Sequence, residues 1–165
     1  MKKILSLLCI GLCLFTLSGC NKTIKGNNGL IDKAREEIAI SDADTIDLVI
    51  AGYSSVGNNN LFWFISGSAN QAHTYTPIEF CITGTDEYTF TKTYKPIERT
   101  QDIAVLLWNE GYSFCINNAS CGYIQIENSS GEIKDIVVES IPFVYYSGEI
   151  PIEYSFLDIN KNPLP

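Results

Sequence analysis

From Thr45 onward, apolar and polar residues trade places one for one in short runs. Ile46, Leu48 and Ile50 alternate with Asp47 and Val49, and Ile78, Phe80 and Ile82 alternate with Glu79 and Cys81. Tyr88, Phe90 and Tyr94 are spaced by Thr89, Thr91 and Thr93 in the same way. A period of two belongs to a strand with one buried face. The run Leu61-Phe62-Trp63-Phe64-Ile65 is apolar throughout, which suits a strand covered on both faces. Runs at 103–108, 112–116, 123–127, 132–139, 143–146 and 150–158 complete a set of ten, rich in β-branched and aromatic residues. Between them stand turn residues that tolerate positive φ: 57–60, 84–87, 109–111, 128–131 and 147–149. Asn109-Glu110-Gly111 suits a hairpin with a bulge.

One stretch has the other period. Leu30, Ala34 and Ile38 repeat every four residues with Ile31 beside them, which predicts a short helix over 30–39. Asp32 with Arg35 and Lys33 with Glu37 are favourable surface pairs, and Asn28 is placed to cap its start. The expected fold is mainly β: an antiparallel β-sandwich or partly open barrel with one short N-terminal helix. No repeat, second-domain linker or low-complexity tract interrupts it.

The first twenty residues follow a different logic. Lys2 and Lys3 precede an apolar segment, residues 4–17, and Ser18 and Gly19 are small residues just before Cys20. That is the order of a secretory signal. The run Leu17-Ser18-Gly19-Cys20 resembles the lipobox of a bacterial lipoprotein. The resemblance implies lipid transfer to the Cys20 thiol, cleavage before Cys20, and anchoring to a bacterial membrane on its extracytoplasmic face. The apolar run is shorter than the ~20 residues a span requires. Attachment would therefore come from acyl chains, at roughly 0.8 kcal/mol per buried methylene. The expected organisation is a signal peptide at 1–19, a lipidated cysteine and polar tether at 20–28, and a single β-rich domain at 29–165. Within that domain, Tyr94-Lys95-Pro96, the segment from Trp108 to Phe114, and Asn117-Asn118 resemble small uncharacterised lipoproteins, a likeness that implies no activity.

Composition narrows the partners. The formal charge of −8 becomes about −10 once Lys2 and Lys3 leave with the signal. Such a domain is a poor ligand for nucleic acid, which wants a basic patch. Of six cysteines, Cys9 and Cys13 lie in the signal and Cys20 carries the lipid, leaving Cys81, Cys115 and Cys121. Cys115 and Cys121 flank the hairpin-like segment 116–120 and are the candidate disulfide.

Candidate chemistry is sparse. His73 is the one histidine, set in a polar loop at 66–76 with no acidic partner near it in sequence. No nucleophile-elbow, phosphate-loop or metal-ligand spacing is present, and no cofactor is implied. Asp42-Ala-Asp44 and Asp158-Ile-Asn160-Lys-Asn162 space oxygens two apart, but lack the glycine and closing glutamate of a calcium loop. They read as turns, so no metal is expected. Trp63, Trp108, Tyr145 and Tyr146 are candidates for a ligand-stacking platform, with a core role as the competing use. The expected function is a non-enzymatic binding or interaction module for an envelope protein or glycan. Two alternatives stand beside it: a small envelope hydrolase built on a carboxylate pair, and an inhibitor or protective lipoprotein.

Overall fold

The computed structural model describes residues 22–38, 47–67, 73–99 and 101–165. The expected signal, Cys20, Asp42 and Asp44 lie outside the described residues. Among the described residues no helix is long and apolar enough to cross a membrane.

One helix, α1 (Gly26–Glu37), accompanies twelve strands among the described residues. Sheet A contains β1 (Ile24–Lys25), β5 (Glu87–Thr93), β4 (His73–Gly84), β3 (Asn59–Ser66) and β2 (Leu48–Val56) in that order, with β6 (Ile97–Arg99) paired to the start of β4. Sheet B has the order β11 (Phe143–Tyr146), β8 (Gly111–Ile116), β7 (Ile103–Trp108). Sheet C has the order β10 (Ile133–Val137), β9 (Tyr123–Glu127), β12 (Glu153–Leu157). All pairings are antiparallel. The mainly β, antiparallel architecture expected from the period-two runs is the one observed. After sheet A the chain runs through β7 and β8 in sheet B, β9 and β10 in sheet C, back to β11 in sheet B, then to β12 in sheet C.

Strand alternation stacks these elements into layers: helix, sheet A, sheet B, sheet C. On sheet A, Phe62, Phe64, Ile78 and Phe80 face Leu30 and Ala34 of α1. The residues between them, Leu61, Trp63, Ile65 and Tyr75, face Ala104, Trp108 and Cys115 of sheet B. Sheet B repeats the division: Ile103, Phe114 and Ile116 pack on Ile124 and Ile126 of sheet C. Sheets A and B are thus apolar on two faces, which is why β3 reads as an unbroken apolar run.

One bulge preserves this division on β2. Ile50 pairs with Phe64 but Gly52 with Trp63, so Ala51 is the extra residue and the parity changes after it. Gly52 has φ of 152°, and a Cβ there would lie 2.9 Å from Val144 Cγ2. A glycine at this point lets β11 close on β2. Gly122, just before β9, is tighter still, because the obstacle is backbone. A Cβ there would lie 2.9 Å from both Cα and N of Ile159. Gly122→Ala is expected to destabilise the protein by about 1–3 kcal/mol, read as a lower urea midpoint with unchanged slope.

Regular structure occupies part of the expected tether. Ile24 and Lys25 pair with Tyr88 and Glu87, and α1 starts at Gly26 rather than Leu30. Gly26 has φ of 62° and donates its N–H to Asp86 O at 3.0 Å, so a tertiary contact sets the helix start. Asn28 lies inside the first turn, and the capping position, Lys25, makes no side-chain cap. Strand β4 begins at His73, inside the expected polar loop. The 109–111 turn is a two-residue loop: Gly111 pairs with Trp108, and Asn109 takes φ of 50°.

Candidate interaction surface

The aromatic candidates do not form a platform. Trp63 and Trp108 are buried between sheets A and B. Each indole N–H has a partner there, which removes the cost of burying it. Trp63 Nε1 donates to Ser113 Oγ at 2.7 Å, and Ser113 Oγ also meets Ser54 Oγ at 2.7 Å. Trp108 Nε1 donates to Glu79 Oε2 at 3.1 Å, and the Tyr94 hydroxyl donates to the same oxygen at 2.8 Å. Tyr146 packs edge-on against Trp108 at 5.4 Å, whereas Tyr145 packs near Phe114 at 6.2 Å on the other side of sheet B. Adjacent strand residues face opposite ways, so Tyr145 and Tyr146 cannot share a surface.

The same alternation corrects the disulfide. Cys115 lies in the layer between sheets A and B, and Cys121 in the layer between sheets B and C. Sheet B stands between the two layers, and Cys81, Cys115 and Cys121 are all free thiols. Burial holds the Cys115 thiol well above its usual range.

His73 has a partner that sequence distance concealed. Its Nδ1 lies 2.8 Å from Asp102 Oδ1, and the Tyr75 hydroxyl donates to the same oxygen at 2.8 Å. Burial, then the bond to Asp102, raises the Tyr75 pKa above its usual value. Asp102 itself has φ of 55° and its carbonyl accepts the Asn117 N–H at 2.8 Å. The cluster ties the start of β4 to the turn entering β7. An oriented imidazole is one part of a hydrolytic triad, but no serine, threonine or cysteine side chain is bonded to His73 among the described contacts.

At the C-terminus Asp158 is occupied by its own turn. Its Oδ1 accepts the Asn160 and Asn162 N–H groups at 2.8 Å each, and its Oδ2 accepts Asn162 Nδ2 at 3.0 Å. These bonds, the Asn162 side chain first, hold its pKa below the usual carboxylate value. Donors surround the carboxylate, which is the geometry of a turn.

Two recesses among the described residues bear on a binding site. One, of about 460 Å³, lies between residues 22–25, α1 and Phe90. Two of its three lysines are engaged: Lys25 pairs with Glu87 at 2.7 Å and Lys33 with Glu37 at 2.6 Å. The other, of about 250 Å³, lies on the outer face of sheet C and is lined by Gln125, Glu127, Ile133, Glu153, Tyr154 and Ser155. Register builds it. Glu127 on the central strand stands opposite Ile133 on one side and Glu153 on the other. Like charges directly across a ladder repel, so this pair is better satisfied with a cation nearby. Farther along the same face the charge is already balanced. Lys161 Nζ reaches Asp135 at 2.6 Å, Gln125 Nε2 donates to Asp135 at 2.9 Å, and Lys161 lies over the Tyr123 ring. Those bonds, Lys161 first, lower the Asp135 pKa.

Ile133 and Val137 of β10 place exposed apolar side chains on this face. Of the eleven large apolar residues exposed among the described residues, seven fall between positions 133 and 159. Ile152 is 66% and Ile133 61% exposed. Comparison with known proteins finds no family model that matches the chain, no similar curated protein and no similar solved structure.

Proposed function

We propose that this chain is a non-enzymatic binding module, anchored by lipid on Cys20 to the extracytoplasmic face of a bacterial membrane. Its contact surface is the outer side of sheet C, and its partner is a protein of the cell envelope. The exposed side chains of Ile133 and Val137, together on the outer face of sheet C beside the recess, carry this reading, since apolar side chains grouped on an exposed face mark interaction sites. The recess adds specificity: an apolar wall at Ile133, with Glu127 and Glu153 facing one another, suits a lysine or arginine beside an apolar residue. The lipobox resemblance supports the anchor, and β1 at Ile24, four residues after Cys20, would keep the domain close to the bilayer.

The cross-strand glutamates also favour a second reading, the carboxylate-pair hydrolase. One set of experiments separates the two. Mass spectrometry of the mature protein is expected to find a lipidated N-terminal Cys20, absent in Cys20→Ser. Affinity capture from solubilised envelope is expected to retain a protein that Glu153→Lys and Ile152→Lys each release at least tenfold more readily, about 1.4 kcal/mol. Capture unchanged by both substitutions refutes the surface. Turnover of an envelope glycan that Glu127→Gln abolishes replaces the binding reading with the hydrolase.

A further inference from the structure

The two edges of sheet C are finished differently. Along β12 the chain covers its own edge: Leu157 bridges to Pro163, and Leu164 N–H donates to Phe156 O at 2.8 Å. Along β10 no strand is paired outside β9 among the described residues.

The flanking bonds fix which groups of β10 point outward. Val138 N–H donates to Gly122 O at 2.9 Å, and Asn128 N–H donates to Glu132 O at 3.0 Å. In an antiparallel ladder, residues that bond to a given neighbour alternate. Residues 132, 134, 136 and 138 therefore bond toward β9. The N–H and C=O groups of Ile133, Asp135 and Val137 point away from the sheet. The side chains of Ile133 and Val137 are 61% and 53% exposed on its outer face.

We propose that two copies of this chain pair antiparallel through β10, about a two-fold axis at Asp135, joining two three-stranded sheets into one of six strands. Three properties of the strand select a second copy as the occupant. A register centred on Asp135 sets Ile133 of each copy against Val137 of the other and satisfies all three outward N–H and all three outward C=O groups on each side. A slip of two residues leaves some of them unpaired. Side-chain parity is preserved, so the apolar pairs fall on one face. Charge at the axis is neutralised: the two Asp135 carboxylates meet there, and each brings its own Lys161 at 2.6 Å to offset their repulsion. A strand edge of this kind, with exposed β-branched side chains and no bulge or proline, is a template for pairing. The seam is short and the chain is acidic, so the dimer is weak and strengthens with salt. This inference does not rest on the envelope partner: the recess shares Ile133 with the seam, but the pairing is made by the backbone of β10, and the Asp135→Cys cross-link reads it without altering the recess.

Sedimentation of the purified full-length chain in mild detergent tests it. A monomer–dimer equilibrium is expected, with dissociation raised at least tenfold in the double variant Ile133→Lys, Val137→Lys. Cysteine scanning reads the register independently of that variant's folding. Paired residues at the axis have Cα atoms about 5.5 Å apart, within disulfide reach, so Asp135→Cys should cross-link to itself under mild oxidation. Ile133→Cys should not, since its symmetry mate lies about 13 Å along the strand. A chain that stays monomeric at every concentration overturns the proposal. So does a dimer that survives the double lysine variant, a cross-link from Ile133→Cys in place of Asp135→Cys, or growth into open-ended assemblies.

Discussion

Phe114→Ala is expected to cost about 3–5 kcal/mol of stability, the range for removing a fully buried aromatic ring. Phe114 is fully buried on β8, facing sheet C. Its ring centroid lies within 6.2 Å of the rings of Tyr112, Tyr145, Tyr154 and Phe156, which come from β8, β11 and β12. The residues around the resulting cavity belong to strands already bonded on both sides or held at a ladder, so they cannot close over it. Chemical denaturation reads the loss directly. Phe90→Ala provides the contrast: its ring is half-buried beneath Lys33 at 4.6 Å, and it should cost clearly less. Equal losses at the two sites would contradict the layered core.

The second large effect is on the alkaline side. Tyr75 and Tyr94 are held above their usual value of 10.0, and Cys115 above 9.0. Burial is the first cause in each; the bond to Asp102 acts on Tyr75 and the bond to Glu79 on Tyr94. The folded protein keeps all three protonated after the unfolded chain has begun to lose those protons. Their contribution is complete below the unfolded values and is lost as pH rises above them. Stability should fall from roughly pH 9 through Cys115, and more steeply above roughly pH 10 as both tyrosines join. Each group adds a slope of about 1.4 kcal/mol per pH unit. Urea midpoints measured from roughly pH 8 to pH 11 test the sign and the slope. Tyr94→Phe lowers stability at neutral pH, since Glu79 Oε2 then keeps only the Trp108 N–H of its two donors. It should also flatten the alkaline slope by one proton. A stability curve level through roughly pH 11 would refute these assignments.

What could be read from the sequence follows from what each segment contacts. Strands such as β4 from Ile78 and β5 show their period because one side-chain set is apolar and the other polar. Leu61-Phe62-Trp63-Phe64-Ile65 was legible as doubly covered because both of its neighbours, α1 and sheet B, demand apolar residues. The first half of β4 was hidden because its chemistry is polar: His73 answers Asp102, twenty-nine residues on. Thr76 is buried with no hydrogen-bond partner in the described contacts, an arrangement that local pattern does not announce. The helix start depends on Asp86, a residue in another turn, and so shows no local cap. Trp63 and Trp108 could be core or platform until Ser113 and Glu79 were found beside their indole nitrogens. The recess on sheet C is a product of register. Glu127 and Glu153 are remote in sequence and become neighbours only when β12 returns to β9.

The interleaving of sheets B and C has a consequence for a chain that emerges from its N-terminus. Once Arg99 is out, every strand of sheet A is present, and α1 can close one side of it. Sheet B must wait for β11, and sheet C for β12, because the chain leaves each sheet and comes back to it. Until Tyr146 appears, the side of sheet A that carries Trp63 and Tyr75 has no complete cover, and until Leu157 appears the far side of sheet B has none. No stop codon between 99 and 157 yields a smaller finished domain, because each such chain leaves an apolar sheet face without its cover. A holding chaperone would meet this protein at that stage, through the surface that later vanishes between sheets A and B.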